Sequence, residues 1–181
     1  MRWWPPVGLL ATLALGWAVG RGSTTLDSWF SRSAHDFFGG QPRWLLIFTS
    51  GWLALAVLAT CLAVTVRRQQ WQLAAAVLVC PFVVTAASQA LKHLFGRRNG
   101  PYLQYPSGHT ALLVAVLAMM VVVASGCRTA RLWALTLATV LSLLGMLGLV
   151  ACGYHFLTDT IGAAMLATAL VCGAARLTSA L

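Results

Sequence analysis

The chain has 181 residues, of which 60% are hydrophobic and only 8% charged. A charge content this far below that of soluble domains, with apolar runs of about twenty residues, predicts one membrane-embedded domain over residues 1–181. The acids are Asp27, Asp36 and Asp159, and this scarcity excludes most carboxylate-bound metal sites and carboxylate-pair chemistry. The net charge of +9 favours anionic lipid headgroups over nucleic acid, because the basic residues are dispersed among short loops.

The first predicted helix is apolar from Val7 to Gly20 and includes Pro5 and Pro6 at its start. Arg2 and the tryptophans that follow it predict an anchor at the membrane interface. A basic start before an apolar core is also typical of a signal peptide. The Trp and Pro pairs, and the need for a helix that packs against the other spans, favour a retained helix.

Residues 23–40 predict an amphipathic helix that lies in the membrane interface. Apolar residues recur there at helical spacing, and Asp27, Arg32, His35 and Asp36 fall between them. The apolar positions are Leu26, Trp29, Phe30, Ala34, Phe37 and Phe38. Thr24 or Thr25 could cap the helix.

Five further apolar runs predict membrane-spanning helices. They are Trp44–Val66, Leu73–Leu91, Thr110–Gly126, Leu132–Cys152 and Thr160–Leu177. The expected fold is therefore all-α, a six-transmembrane-helix bundle with the amphipathic helix in the first outward loop. No strand is expected, and the five scattered cysteines are interpreted as small helix-packing residues.

Polar chemistry is concentrated at two predicted helix starts. Ser107, Gly108 and His109 enter the fourth span, where free backbone N–H groups and the positive end of the helix dipole suit a tetrahedral oxyanion. His155 and Asp159 are four residues apart at the sixth span, so they share one helix face. A carboxylate beside an imidazole fixes its tautomer and raises its basicity, which makes the ring a better nucleophile.

A basic loop precedes the fourth span and contains Lys92, Arg97 and Arg98. We expect it to bind the same anion, although such a loop can also anchor lipid headgroups. His109 could protonate a leaving oxygen across the site from His155. Under the simpler alternative, Ser107 only caps its helix, and His155 and Asp159 only share a hydrogen bond at the membrane interface.

The pattern of these residues resembles the motifs of the type 2 phosphatidic acid phosphatase family. That family shares its site with vanadium haloperoxidases and glucose-6-phosphatase. The family motifs are Lys-x6-Arg-Pro, Pro-Ser-Gly-His and Ser-Arg-x5-His-x3-Asp. The chain matches seven of the eleven motif positions, in order. The matching residues are Lys92, Pro106, Ser107, Gly108, His109, His155 and Asp159.

The resemblance implies a membrane lipid phosphatase that needs no metal or other cofactor. His155 would attack phosphorus to form a phosphohistidine, Asp159 would orient it, and His109 would protonate the leaving alcohol. Lys92, Ser107 and Gly108 would hold phosphate oxygens. The substrate would be a lipid phosphate monoester or pyrophosphate, such as a polyprenyl phosphate derivative or phosphatidic acid.

The chain departs from the family pattern at two arginines. The Arg-Pro of the first motif falls on Asn99-Gly100, one position after Arg98, and the Ser-Arg of the third falls on Gly148-Leu149. One interpretation is a rebuilt pocket in which Arg97 and Arg98 both reach the phosphate.

The other interpretation is a weakly active or inactive homologue that binds lipid or serves as a subunit of an envelope-lipid assembly. Either protein could form a homo-oligomer or bind an envelope-biosynthesis membrane partner. A transporter or channel is disfavoured, because no polar stripe follows the spans.

The charge distribution predicts the orientation in a bacterial inner membrane. Six spans place both termini on one side, and we set the candidate site residues aside. Six basic residues then remain on the terminal side and three on the other, which predicts cytoplasmic termini and an outward-facing site. They are Arg2, Arg67, Arg68, Arg128, Arg131 and Arg176 against Arg21, Arg32 and Arg43.

Overall fold

Within residues 3–178, the part of the chain that the computed structural model describes, seven α-helices dominate. They are α1 (Trp4–Val19), α2 (Thr25–Phe38), α3 (Gly51–Arg67), α4 (Trp71–Phe95), α5 (Gly108–Val123), α6 (Arg128–Ala151) and α7 (Leu157–Leu177). Two 3-10 helices, Arg43–Thr49 and Ala124–Gly126, precede α3 and follow α5. The all-α prediction is confirmed except for a hairpin of two-residue strands, β1 (Arg98–Asn99) and β2 (Tyr102–Leu103), which the sequence analysis did not predict.

Five helical segments of the described chain are long and apolar enough to cross a membrane. They are Arg43–Arg67, Trp71–Phe95, Gly108–Gly126, Arg128–Ala151 and Leu157–Leu177. The apolar helix α1 has 16 residues, which is about 24 Å and less than the roughly 30 Å of a hydrocarbon core. The predicted count of six spans is therefore not confirmed. Arg2, part of the predicted anchor, lies outside the described residues.

Small residues let α1 pack closely against the bundle. Gly8, Thr12 and Gly16 are buried and lie four residues apart, so they form one face of the helix. A Cβ atom at Gly8 would lie 2.9 Å from Cβ of Ala169 on α7, and one at Gly16 would lie 2.5–2.7 Å from the ring of Phe95 on α4. This is the small-residue packing common between membrane helices.

The helix α2 begins with the predicted cap. The Thr24 hydroxyl accepts a hydrogen bond from the Asp27 amide, and the Asp27 carboxylate accepts one from the Thr24 amide. This reciprocal pair satisfies two backbone donors that a helix start leaves open. The cap is thus Thr24 rather than Thr25, while the position of α2 in a membrane interface stays a prediction.

The second predicted span is broken near its start. Ser50 has an extended backbone (ψ 143°) and separates the 3-10 helix from α3, which its hydroxyl caps through the Leu53 amide. The 3-10 helix packs against glycines of α6. A Cβ atom at Gly148 would lie 2.7 Å from Cβ of Leu45, so only glycine allows this approach.

The core of the bundle lies around α5, which has buried residues along its whole length. Buried side chains of α3, α4, α5 and α7 meet there, among them Cys61, Val77, Met119 and Ala167. Hydrogen bonds join Ser88 of α4 to Pro106, Ser107 to Asp159 of α7, and His155 to Leu149 of α6. The end of α4, the start of α5, the end of α6 and the start of α7 therefore lie at one end of the bundle, which carries the polar residues.

An apolar cleft of about 770 Å³ opens between α5, α6 and α7. Its walls include Val114, Ile161 and Met146. Val114 follows His109 on α5 by five residues, and Ile161 follows Asp159 on α7 by two. The lining also includes Arg131 and Cys172, so the cleft follows the membrane-spanning part of the bundle toward the end opposite the polar residues.

Candidate active site

The start of α5 is held against the start of α7. Ser107 is the N-cap of α5, and its hydroxyl accepts a long hydrogen bond, 3.4 Å, from the Thr110 amide. The Ser107 amide donates to the Asp159 carbonyl at 3.1 Å, and the Ser88 hydroxyl donates to the Pro106 carbonyl at 3.2 Å. These bonds fix the backbone N–H groups at the start of α5 beside α7, where a phosphate could bind.

His109 and His155 face each other at this end of the bundle. Their ring centroids are 6.3 Å apart and their planes are inclined by 61°. His155 is 8% exposed, whereas His109 is open to solvent. Two imidazoles at this separation can act on opposite sides of one reacting group, one as nucleophile and the other as proton donor.

Asp159 lies on the side of His155 that a supporting carboxylate requires. Its Oδ2 atom accepts a hydrogen bond from the Phe156 amide at 3.0 Å and lies 3.9 Å from His155 Nδ1. That distance is too long for a hydrogen bond. Nδ1 is buried and has no hydrogen-bond partner in the described part of the chain. Catalytic hydrogen bonds are often long before substrate binds, and they shorten in the complex.

Lys92 supplies positive charge at the same end of the bundle. Its ammonium group donates to the Leu103 carbonyl of β2 at 3.1 Å. It is half-buried and close enough to Asp159 and His109 for electrostatic interaction with both. The hairpin therefore fixes the lysine beside the histidine pair.

The structure gives Arg97 a different environment from the one that the sequence predicted. The side chain is completely buried, and its guanidinium makes four hydrogen bonds to the protein. Nη1 donates to the Thr158 hydroxyl and to Asp159 Oδ1, both at 2.7 Å. Nη2 donates to Asp27 Oδ2 at 2.6 Å, and Nε donates to the Gly22 carbonyl at 3.0 Å. These contacts commit the guanidinium to protein oxygens.

Asp27 is the partner that the sequence analysis missed. It is 1% exposed and accepts hydrogen bonds from the Thr158 amide, from the hydroxyls of Thr158 and Thr24, and from Arg97. Burial by itself raises the pKa of Asp27, but the hydrogen bonds from Thr158, Thr24 and Arg97 outweigh burial and leave this pKa below its ordinary value. The available signal was one acid in the first turn of a helix, in a chain with only three acids.

Two predicted residues, Gly108 and Arg98, remain to be placed, together with Leu149 at the position of the missing arginine. Gly108 is the first residue of α5 and is half-buried, next to His109. Arg98 begins β1 with an exposed side chain, and its backbone amide donates to the Arg21 carbonyl. Leu149, at the position of the family arginine, is 3% exposed. The structure therefore has a buried aliphatic side chain at this position.

Within residues 3–178 no group of three or more His, Cys, Asp or Glu side chains has the arrangement of a metal site. The polar groups that converge are two imidazoles, one carboxylate and one ammonium, beside a helix start. Such a set suits attack on a tetrahedral anion with its charge held by fixed donors.

Comparisons with known proteins give a family match and a structural match. A family model described as the PAP2 superfamily matches residues 55–181. Among solved structures, the first transmembrane PAP2 type phosphatidylglycerolphosphate phosphatase from Bacillus subtilis matches with a TM-score of 0.77 and 19% sequence identity. The match covers 98% of this chain and 96% of that one, and at this identity it shows a shared fold. A comparison with curated proteins found no match.

Proposed function

Because this chain belongs to the PAP2 superfamily, we propose that it is a membrane lipid phosphatase that acts through a phosphohistidine intermediate. The observation that carries the proposal is the pairing of His155 and His109 at 6.3 Å, with Asp159 on the Nδ1 side of His155. The family and the phosphatase with the similar fold both support phosphatase chemistry.

The proposed reaction has two steps. Nε2 of His155 attacks phosphorus, and the bond from phosphorus to the lipid oxygen breaks as His109 donates a proton to that oxygen. His109, now neutral, removes a proton from water, which attacks the phosphohistidine and releases inorganic phosphate and free His155. Asp159 stabilises the positive charge that His155 carries between the steps.

The phosphate oxygens would be held by groups that are already in place. These are the Lys92 ammonium group, the Ser107 hydroxyl and the N–H groups at the start of α5, with Gly108 leaving the backbone open to the anion. Arg98 is the proposed guanidinium contact, because its side chain is free to turn toward a substrate, whereas Arg97 is buried. No step of the proposed reaction requires a metal ion.

The cleft supports a lipid as the substrate class. Its walls are largely apolar and it measures about 770 Å³. Two of its lining residues, Val114 and Ile161, lie on the helices that carry His109 and Asp159. A lipid tail would fit there while its phosphate lies between the histidines. We include phosphatidic acid, polyprenyl phosphates and pyrophosphates among the candidate substrates. Phosphatidylglycerolphosphate joins them because it is named for the B. subtilis phosphatase.

The alternative is a weakly active homologue that binds a lipid headgroup without efficient turnover. It is favoured by Leu149, which places a buried aliphatic side chain where the family motif has an arginine. Loss of one phosphate contact of this kind could cost about 10²–10³ in rate. The retained histidines and Asp159 favour the enzyme.

Phosphate release from the candidate lipids by purified protein in detergent tests the proposal. We expect release by the wild type, a decrease of about a thousandfold or more in His155→Ala, and no effect of a metal chelator. His93→Ala, an exposed histidine near the end of α4, is the matched control and should keep wild-type activity. A wild type that releases phosphate from none of the lipids would leave the binding homologue as the better explanation.

Leu149→Arg separates the two interpretations further, because it restores the family residue. Release that appears only in this variant would mean that the scaffold is intact and that the missing guanidinium silences it. A wild type that is already active, and that gains less than about tenfold from the substitution, would fit the proposed role of Lys92 and Arg98.

A further inference from the structure

The two oxygens of the Asp159 carboxylate have different partners. Oδ1 accepts from Arg97 at 2.7 Å, and Oδ2 accepts from the Phe156 amide and faces His155 Nδ1. A carboxylate with only one bound oxygen can still rotate about its last side-chain bond. The contact between Arg97 and Oδ1 therefore helps to fix the rotation of the carboxylate, with Oδ2 on the side of His155 Nδ1.

Arg97 is in turn held by a residue on a distant element. Its Nη2 atom donates to Asp27 Oδ2 at 2.6 Å, and both side chains are fully buried. Asp27 also accepts from the amide and the hydroxyl of Thr158, the residue directly before Asp159. Thus α2, the loop after α4 and the start of α7 meet in one buried network.

We propose that Asp27 and Arg97 are positioning residues, which hold Asp159 in the orientation that supports His155. This role rests on the proposed function and differs from the phosphate contact that the sequence predicted for Arg97. A ring contact agrees with it, since the guanidinium carbon lies 4.7 Å from the centre of the Phe156 ring and packs against the start of α7 rather than the opening between the histidines.

The net charge of the network makes the proposal testable. Asp27, Arg97 and Asp159 together carry one negative charge. Asp27→Asn makes the group neutral, and Arg97→Gln makes it doubly negative if both carboxylates stay ionised. Because His155 faces this group, its protonated form should lose stabilisation in the first variant and gain it in the second.

Other charged groups near His155 stay constant between the variants. They are His109 on α5 and Lys92 on α4, each at the same end of the bundle. Arg98 and Arg43 have exposed side chains and are likewise unchanged. Arg32, His35 and Asp36 of α2 line a pocket with Gly153, two residues before His155, and they too are the same in both variants. A difference between the variants therefore reports on the network.

The first experiment measures kcat, KM and the pH dependence of kcat/KM for the two variants. We expect kcat to fall by about tenfold or more in each, with KM within about threefold of the wild type. The acid limb of kcat/KM should move by roughly half a pH unit or more, downward in Asp27→Asn and upward in Arg97→Gln. Arg21→Gln, which removes an exposed arginine, is the matched control and should show no shift.

Three results would overturn the proposal. A rise in KM and in the inhibition constant of inorganic phosphate for Arg97→Gln, with an unmoved acid limb, would make Arg97 a substrate contact. Shifts of the acid limb in the same direction in both variants would contradict the expected effect of the network's net charge on His155. If neither variant folds, the conservative variants Asp27→Glu and Arg97→Lys take their place. If these fold but have neither the kcat nor the acid limb of the wild type, the network is only structural.

A second experiment needs no activity and so separates this proposal from the proposed function. Histidine-labelled protein is titrated by NMR, and the His155 signal is assigned by its loss in His155→Ala. The midpoint of the His155 titration should move in opposite directions in the two variants. If the wild type releases no phosphate but the midpoints move as expected, only the proposed function fails. Unmoved midpoints in an active enzyme would refute the positioning role alone.

Discussion

Arg97 and Arg98 are adjacent, but their environments are opposite. Arg97 is completely buried and bound to two carboxylates, while Arg98 begins β1 with its side chain exposed. Successive side chains of extended backbone point to opposite sides, so one arginine of the pair faces inward and the other outward. The two positive charges therefore lie in different environments, one inside the protein and one at its surface.

Arg98→Gln tests the outward arginine. If this side chain contacts the phosphate, we expect KM for a lipid phosphate to rise by about tenfold or more, because a charged hydrogen bond is lost. The acid limb of kcat/KM should stay in place, unlike in Arg97→Gln. Arg21→Gln serves again as the control. An unchanged KM would remove Arg98 from the site.

Asp27 should make the stability of the protein depend on pH in acid. Its pKa in the folded protein is below the ordinary value of 3.8. The unfolded chain therefore takes up a proton first, and the contribution of Asp27 is complete above about pH 4 and is lost as the pH falls through the lower folded value. In detergent, the Tm gap between wild type and Asp27→Asn should be constant from pH 7 to about pH 5 and should narrow below about pH 4. A gap that widens in acid would contradict this sign.

At the scale of the element, Tyr105 ties the loop before α5 to α1 and α7. Its hydroxyl donates to the Thr12 carbonyl, and its ring makes an edge-to-face contact with Phe95 at 5.3 Å. The ring also lies against Gly162 of α7, where a Cβ atom would be 2.5–2.6 Å from ring carbons. Because Tyr105 stands two residues before Ser107, its position fixes the start of α5.

Gly162→Ala should therefore damage both stability and activity. The added methyl group forces the Tyr105 ring to move, which we expect to cost about 1–3 kcal/mol of stability and to lower kcat. Gly173→Ala on the same helix is the matched control, because a Cβ atom there meets nothing within 4 Å. Thermal unfolding and phosphate release in detergent measure both effects. Equal behaviour of the two variants would show that the bundle absorbs the methyl group.

The long apolar runs allowed the sequence to predict the helices after α2, with ends within four residues of those observed except at the start of α3. The break at Ser50 was missed because a single serine in an apolar run does not change the pattern, and only its contact with the α6 glycines explains it. The hairpin was missed because two-residue strands have no periodicity. Likewise, His109, His155 and Asp159 could be selected from their motifs, whereas Asp27 becomes visible only when α2 is packed against α7.

At the scale of the whole molecule, the site and the α5–α6 connection lie at opposite ends of the bundle. Arg68, after α3, donates to the Val123 carbonyl near the end of α5, so these ends meet away from the histidines. Cys127 is exposed in this connection, while Cys61, Cys80 and Cys152 are buried. Labelling of the native Cys127 thiol can therefore show on which side of the membrane the α5–α6 connection lies.

We expect Cys127 to be inaccessible to a membrane-impermeant maleimide added to intact spheroplasts, because the charge distribution predicts cytoplasmic termini. The half-exposed Cys172 is first replaced by Ser. A cysteine at the exposed Ser33 of α2, in a chain that also carries Cys127→Ser, should be labelled from outside. Labelling of both thiols after lysis is the control, and labelling of Cys127 in intact cells would reverse the orientation.

The buried pair of Asp27 and Arg97 also constrains how relatives of this chain can diverge. Removal of Arg97 would leave two buried carboxylates without their cation, and loss of one partner from a buried ion pair typically costs about 3–5 kcal/mol. Removal of Asp27 would leave Arg97 paired with Asp159 but would take away the acceptor of its Nη2 atom. The two positions lie 70 residues apart, yet natural variation should change them together. We therefore expect Asp27 of the amphipathic helix to covary with Arg97 of the loop after α4. Arg98, which is outside this contact, should vary with the substrate instead.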